Sequence, residues 1–126
     1  MKKIIETSNA PAPIGPYSQA VLYDDTLYTS GQIAIDPATG NLVSGDITEE
    51  TKQVMKNIGA VLEEAGMNYE NVLKTSIFIK DMNDFQKINT VYGSFFNEST
   101  APARETVEVA RLPKDVKVEI SVLARK

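Results

Sequence analysis

The sequence predicts an α+β fold with about six strands and two helices, in the order β-β-β-α-β-α-β-β. Three observations predict it. Short β-rich runs stand near both ends and in the middle of the chain. Two internal segments repeat their apolar residues at helical spacing. Turn-forming clusters of Asp, Pro, Thr and Gly separate the runs.

Lys2–Ile5 is a short apolar stretch suited to an edge strand. "NAPAPIGPY" (9–17) holds three prolines and a glycine, so it reads as a stiff extended loop. Ala20–Tyr23 and Leu27–Ser30 flank Asp24-Asp25-Thr26 as a hairpin, and Asp36-Pro37-Ala38-Thr39-Gly40 is a second turn. A helix then begins, capped by Asp46 with Glu49 or by Thr48 ahead of Glu49 and Glu50. Val54, Ile58, Val61, Leu62 and Ala65 form its apolar face, and Gly66 stops it. "VLKTSIFIK" (72–80) is β-rich. The second helix starts near Asp81–Asp84 and aligns Phe85, Ile88, Tyr92, Phe95 and Phe96. After Pro102, Thr106–Ala110 and Lys117–Leu123 read as two strands joined around Leu112-Pro113-Lys114-Asp115. Two helices cover only one face of such a sheet, and a second copy of the chain is the expected cover for the other.

The 126 residues suit one domain (1–126), with 42% hydrophobic and 24% charged content. The net charge of −4 argues against general nucleic-acid binding, which needs clustered Lys and Arg. With no Cys and no His, thiol catalysis, disulfides and Ser-His-Asp chemistry are excluded. A zinc site would need carboxylates alone. Any acid or base is Asp, Glu, Lys, Tyr or a bound water. No signal-peptide pattern and no long apolar run is present, so a cytoplasmic location is expected and no membrane contact.

Two charges near the C-terminus stand out. Along Lys117–Leu123 the side chains alternate, which places Glu119 on the face opposite Val118 and Ile120. By pattern alone Glu119 is a solvated strand position. Arg104 follows Pro102 on a stiff approach, and such an arginine suits bidentate carboxylate recognition; a plain surface arginine fits the pattern equally well. Tyr17 emerges from the Gly-Pro turn of "IGPYSQA" (14–20), either packing the loop or walling a pocket. In "TSGQI" (29–33) the small residues Ser30 and Gly31 allow close backbone approach. Asn89, beside Ile88, is a polar position at the edge of the second helix.

"IGPYSQA", "SGQI", "VLEEAG", "VLKTSIFIKDMNDFQKIN", "YGSFF", "PAR" and "VEVARLPKDVKVEI" occur in this order. Together they resemble the RidA (YjgF) family of enamine/imine deaminases across essentially the whole chain. The resemblance implies a chorismate-mutase-like fold, a homotrimer joined through its sheets, and clefts between subunits. It implies hydrolysis of 2-imino acids to 2-oxo acids and ammonia, with no metal or organic cofactor. Matched residue by residue, it makes Arg104 the carboxylate anchor, Glu119 the water-positioning group and Tyr17 a cleft residue. Ser30, Gly31 and Asn89 line the cleft, Thr106 contributes its backbone carbonyl, and Arg111 has a structural role. The chain departs from the family at Thr106, where many members have Cys, at Glu105 (often Ser), at Ala101 (often aromatic) and at Ser121 (often Glu). Two other activities remain open at this level: a non-catalytic sensor of small 2-oxo or imino acids, and a ribonuclease, against which the acidic charge and lack of His argue.

Overall fold

The computed structural model covers residues 1–126. Helix α1 spans Ile47–Glu64, and the Asp46 carboxylate accepts the Glu49 N–H at 2.8 Å. Of the two caps available in sequence, Asp46 is the one used; Thr48 lies inside the helix. Gly66, at φ +74°, ends it in the left-handed conformation that other residues avoid. Val54, Met55, Ile58, Val61 and Leu62 are wholly buried on its inner face. Each such side chain contributes about 1.5–3 kcal/mol.

Strands β1 (Lys2–Ile5), β2 (Ala20–Tyr23), β3 (Thr26–Thr29), β4 (Val72–Ile79), β5 (Ala103–Glu108) and β6 (Val118–Arg125) form one mixed sheet, ordered β1-β2-β3-β6-β4-β5. Helix α2 covers Phe85–Gly93. Both helices pack on the same face. Val118, Ile120, Val122 and Ala124 of β6 are buried there, the first two beneath Val54 of α1 and Ile88 and Tyr92 of α2. Phe95 and Phe96 lie past the end of α2, yet still pack on the core around Tyr69.

The expected hairpin between the last two strands does not form. β4 lies between them, parallel to β5 with Ile77 opposite Thr106, and antiparallel to β6 with Ile77 opposite Ile120. The reason is the β4–α2–β5 crossover, since a strand–helix–strand connection returns the chain parallel to its first strand. The segment after β5 then passes back over β4 to reach β6. The Lys80 N–H donates to the Lys117 carbonyl and the Val109 N–H to the Ile79 carbonyl, tying this return to β4. As a result β5 starts at Ala103, so Arg104 is a strand residue rather than a loop residue before one.

No helix covers the opposite face of the sheet. Register places Ile4, Val21, Tyr28 and Leu123 in one row across β1, β2, β3 and β6. Phe78 and Val107 stand beside Glu119 further along. Ile4, Tyr28 and Val107 are about half exposed, at 48%, 51% and 45%.

Candidate active site

Glu119 sits on β6 opposite Phe78, on the open face. Its neighbour Ile120 exchanges two backbone hydrogen bonds with Gln32, at 2.8 and 3.0 Å. That pair draws the 30–33 stretch along β6 and brings Gly31 against the glutamate. A Cβ at Gly31 would lie 2.6 Å from both Cδ and Oε2 of Glu119. The absence of a side chain at position 31 is therefore what admits the carboxylate. Burial pushes the Glu119 carboxyl above the ordinary carboxylate range, because desolvation disfavours its charged form.

Glu119, Gly31, Ser30 and Tyr17 line one cavity of about 440 Å³. Ile14, Ile33 and Ile35 supply apolar wall, and Lys114 is the only cation on the lining. Two buried amides fasten these walls. The Gln19 side-chain amide donates to the carbonyls of Thr7, Ala10 and Pro11 and accepts the Thr7 N–H. The Asn57 amide donates to the carbonyls of Ile33 and Ile35 at 3.1 and 3.0 Å, and accepts from Gln53. Tyr17 closes its own turn: its hydroxyl accepts the Ile14 N–H, and its N–H donates to the Gly15 carbonyl. The Ser30 hydroxyl donates to the Ser18 carbonyl.

Arg104 lies elsewhere. It pairs in register with Thr75, a buried residue of β4 that faces the helices. Its side chain reaches along α2, where Nη1 donates to the Asn89 side-chain oxygen at 2.6 Å. Arg104 and Asn89 line a second cavity of about 400 Å³, with Tyr92, Phe96, Glu98 and Ala101. Arg104 and Glu119 thus occupy opposite faces of one sheet. The chain brings together Glu119, Tyr17, Ser30 and Gly31 in one place, and Arg104 with Asn89 in another. Thr106 sits on the Arg104 side of β5, and its buried hydroxyl has no hydrogen-bond partner. Arg111 makes a two-pronged contact with Asp115, at 2.7 and 3.3 Å, across the turn whose Lys114 and Asp115 both have φ +56°.

With this geometry in view, the comparisons with known proteins decide the family. A family model described as Endoribonuclease L-PSP matches residues 7–126. The chain belongs to that family. A RutC family protein of Synechocystis is 57% identical over 97% of this chain and 95% of its own length. The 2-iminobutanoate/2-iminopropanoate deaminase of Homo sapiens is 48% identical over 98% of this chain and 90% of its own length. A solved structure of a Rid family protein, YyfA from Yersinia pestis, superposes with a TM-score of 0.97 at 50% identity, covering both chains fully. The resemblance drawn from the sequence motifs is therefore borne out, and so is the α+β fold with two helices and a six-stranded mixed sheet.

Gln19, Asn57 and the lining isoleucines escaped the sequence reading. Asn57 had a legible signal. It falls between Val54 and Ile58 on the apolar stripe of α1, where an amide needs buried partners. Gln19 carried no comparable periodic mark. No helix is long and apolar enough to cross a membrane.

Proposed function

We propose that this L-PSP family member is a 2-imino acid deaminase whose active site is completed between subunits of a homotrimer. The observation that carries the reading is the division of the site. One cavity holds a half-buried carboxylate, Glu119, and the other holds a guanidinium, Arg104, on the opposite face. The one cation of the Glu119 half is Lys114, a point charge without an arginine's planar fork, and the one carboxylate of the Arg104 half is Glu98, which is exposed. The uncovered apolar row on the Glu119 face supplies a surface through which copies would meet. The deaminase names of the mammalian relatives support the choice of reaction.

In this reading Arg104 of one chain grips the substrate carboxylate, which fixes the position of the imine carbon. Glu119 of the next chain holds a water and accepts its proton as the oxygen attacks that carbon. The tetrahedral carbinolamine then takes that proton on nitrogen, its hydroxyl gives its own proton to the Glu119 carboxylate, and the C–N bond breaks with its electron pair leaving on ammonia, so that the 2-oxo acid remains. A positioned acid/base of this kind contributes about 10²–10⁴-fold. Protonated imines are electrophilic enough that this addition needs no redox partner. Tyr17, Ser30 and Gly31 shape the Glu119 side, Asn89 the Arg104 side, and the Thr106 carbonyl is assigned to the substrate contact. The substrate is a small molecule, and nucleic acid has no part in the reaction.

The test is subunit complementation. Arg104→Ala and Glu119→Gln are each made, then mixed after dissociation or co-expressed. A threonine dehydratase supplies 2-iminobutanoate, and 2-oxobutanoate release is followed beside a scavenger. Each variant alone should keep only a small residue of activity, and random mixing should return about a quarter of the wild-type level, because each site draws the two groups from different chains. A mixture as dead as its parents sinks the shared site. Wild-type protein that binds 2-oxobutanoate without turnover is a binder and not a deaminase.

A further inference from the structure

Arg104 is held in an unusual way for an exposed arginine. Its guanidinium carbon lies 5.5 Å from the ring centroid of Phe85 and 5.3 Å from that of Tyr92. Both are within the reach of a cation–π interaction. Phe85, Asn89 and Tyr92 stand at i, i+4 and i+7 on α2, so one helix face presents ring, amide and ring in sequence. The Tyr92 ring is itself fixed, because its hydroxyl donates to Thr75 Oγ1 at 2.9 Å. Thr75 is the residue directly opposite Arg104 in the β4–β5 register.

No carboxylate pairs with this arginine. Glu98 lines the same cavity, yet the chain's ion pairs involve other residues. The adjacent Glu105 turns to the other face, to Lys74 at 3.2 Å and to Ser76. A carboxylate partner would occupy the planar fork and cancel its charge. Two rings and an amide oxygen hold the group while consuming one N–H of about five.

We propose that Phe85 and Tyr92 are positioning residues: an aromatic seat that holds Arg104 in place, with its charge and most of its donors free, for the carboxylate of the substrate. This rests on the reading of Arg104 as the carboxylate anchor. The seat orders a flexible side chain before the ligand arrives, so less rotamer freedom is lost on binding. Because the carboxylate is gripped in both ground and transition states, the seat acts mainly on affinity and KM, and less on kcat.

The experiment replaces Phe85 with a series of 4-fluoro-, 3,5-difluoro- and 3,4,5-trifluorophenylalanine. These keep the ring's shape and drain negative charge from its face. Calorimetric titration with 2-oxobutanoate should show stepwise weaker binding along the series. Phe85→Leu and Tyr92→Leu should each weaken binding about 5-fold, with KM in the deaminase assay rising by more than kcat falls. Phe85→Tyr, which keeps a ring, should restore most of the affinity. Thermal midpoint and oligomer mass, unchanged along the fluorinated series, exclude a folding effect. Equal affinity across that series overturns the seat while leaving Arg104 as anchor. Wild-type protein that binds no 2-oxobutanoate overturns the anchor reading and the seat with it.

Discussion

Replacing Gly31 with alanine should disable Glu119 without touching it. Gly31 has no left-handed backbone angle, so the added methyl brings no conformational strain and its effect is steric. The new Cβ would sit 2.6 Å from the Glu119 carboxyl, where ordinary contact begins near 3.4 Å. One of the two must yield by about 0.8 Å. The glycine cannot easily do so, because Gln32 is bonded to Ile120 on one side and the Ser30 N–H donates to the Gln19 carbonyl on the other. The carboxylate moves instead. A misplacement of ~1 Å in a catalytic group costs on the order of 10²-fold, equivalent to about 2.7 kcal/mol of activation free energy. The assay is the coupled deamination of 2-iminobutanoate, with circular dichroism and thermal midpoint as controls of fold. The same change in a Glu119→Gln background should add little, since the group it displaces is already disarmed. Full activity in Gly31→Ala, or an equal further loss in the double variant, would refute the reasoning.

Arg104→Ala should weaken 2-oxobutanoate binding and lower turnover together. Arg104→Lys should recover only part, because an ammonium offers no planar fork; calorimetry beside the deaminase assay measures both. The acid limb of kcat/KM should lie above pH 4.5, since burial raises the Glu119 carboxyl from that value and the base form is lost as pH falls through it. The same shift acts on folding with a definite sign. The raised carboxyl favours the folded state most below its unfolded pKa, and that advantage is lost as pH rises through the folded pKa. Glu119→Gln should therefore remove this fall in stability as pH rises above 4.5, besides lowering turnover by about 10²-fold or more. Thr106→Val removes a buried hydroxyl that has no partner, and calorimetric unfolding should show a gain of about 1 kcal/mol. A lower melting temperature in that variant would mean the hydroxyl is satisfied after all.

Local features were the most legible in the sequence. The Asp46 cap, the Gly66 stop, the apolar stripe of α1 and the β2–β3 hairpin each depend on residues within a few positions of one another. The pairing of the last strands was not legible, because alternation in 106–110 and 117–123 says which face a side chain takes and nothing about which strand lies alongside. That gap decided the geometry of the site. Read as neighbours in a hairpin, Arg104 and Glu119 would share a vicinity, whereas the crossover through α2 sends them to opposite faces. The small residues of "TSGQI" suggest a backbone that comes close to a ligand; within the chain, what comes close to Gly31 is the Glu119 side chain. The roles of Phe85 and Tyr92 were hidden for a related reason. Aromatics at helical spacing announce a core, and only the register of Thr75 with Arg104 shows that one end of the stripe meets a cation.

The sheet is open, and its two margins are β1 and β5. Each leaves a row of backbone donors and acceptors to which a stray strand from another molecule can add. Both margins are studded with charge: Lys2 and Lys3 on β1, and Arg104, Glu105 and Glu108 on β5. Stripping water from those groups opposes runaway stacking. On the proposed reading Arg104 is therefore under two demands, as a handle for a small anion and as a deterrent to fibre growth. A variant that trades it for an apolar residue should be watched for turbidity on storage as well as for lost turnover.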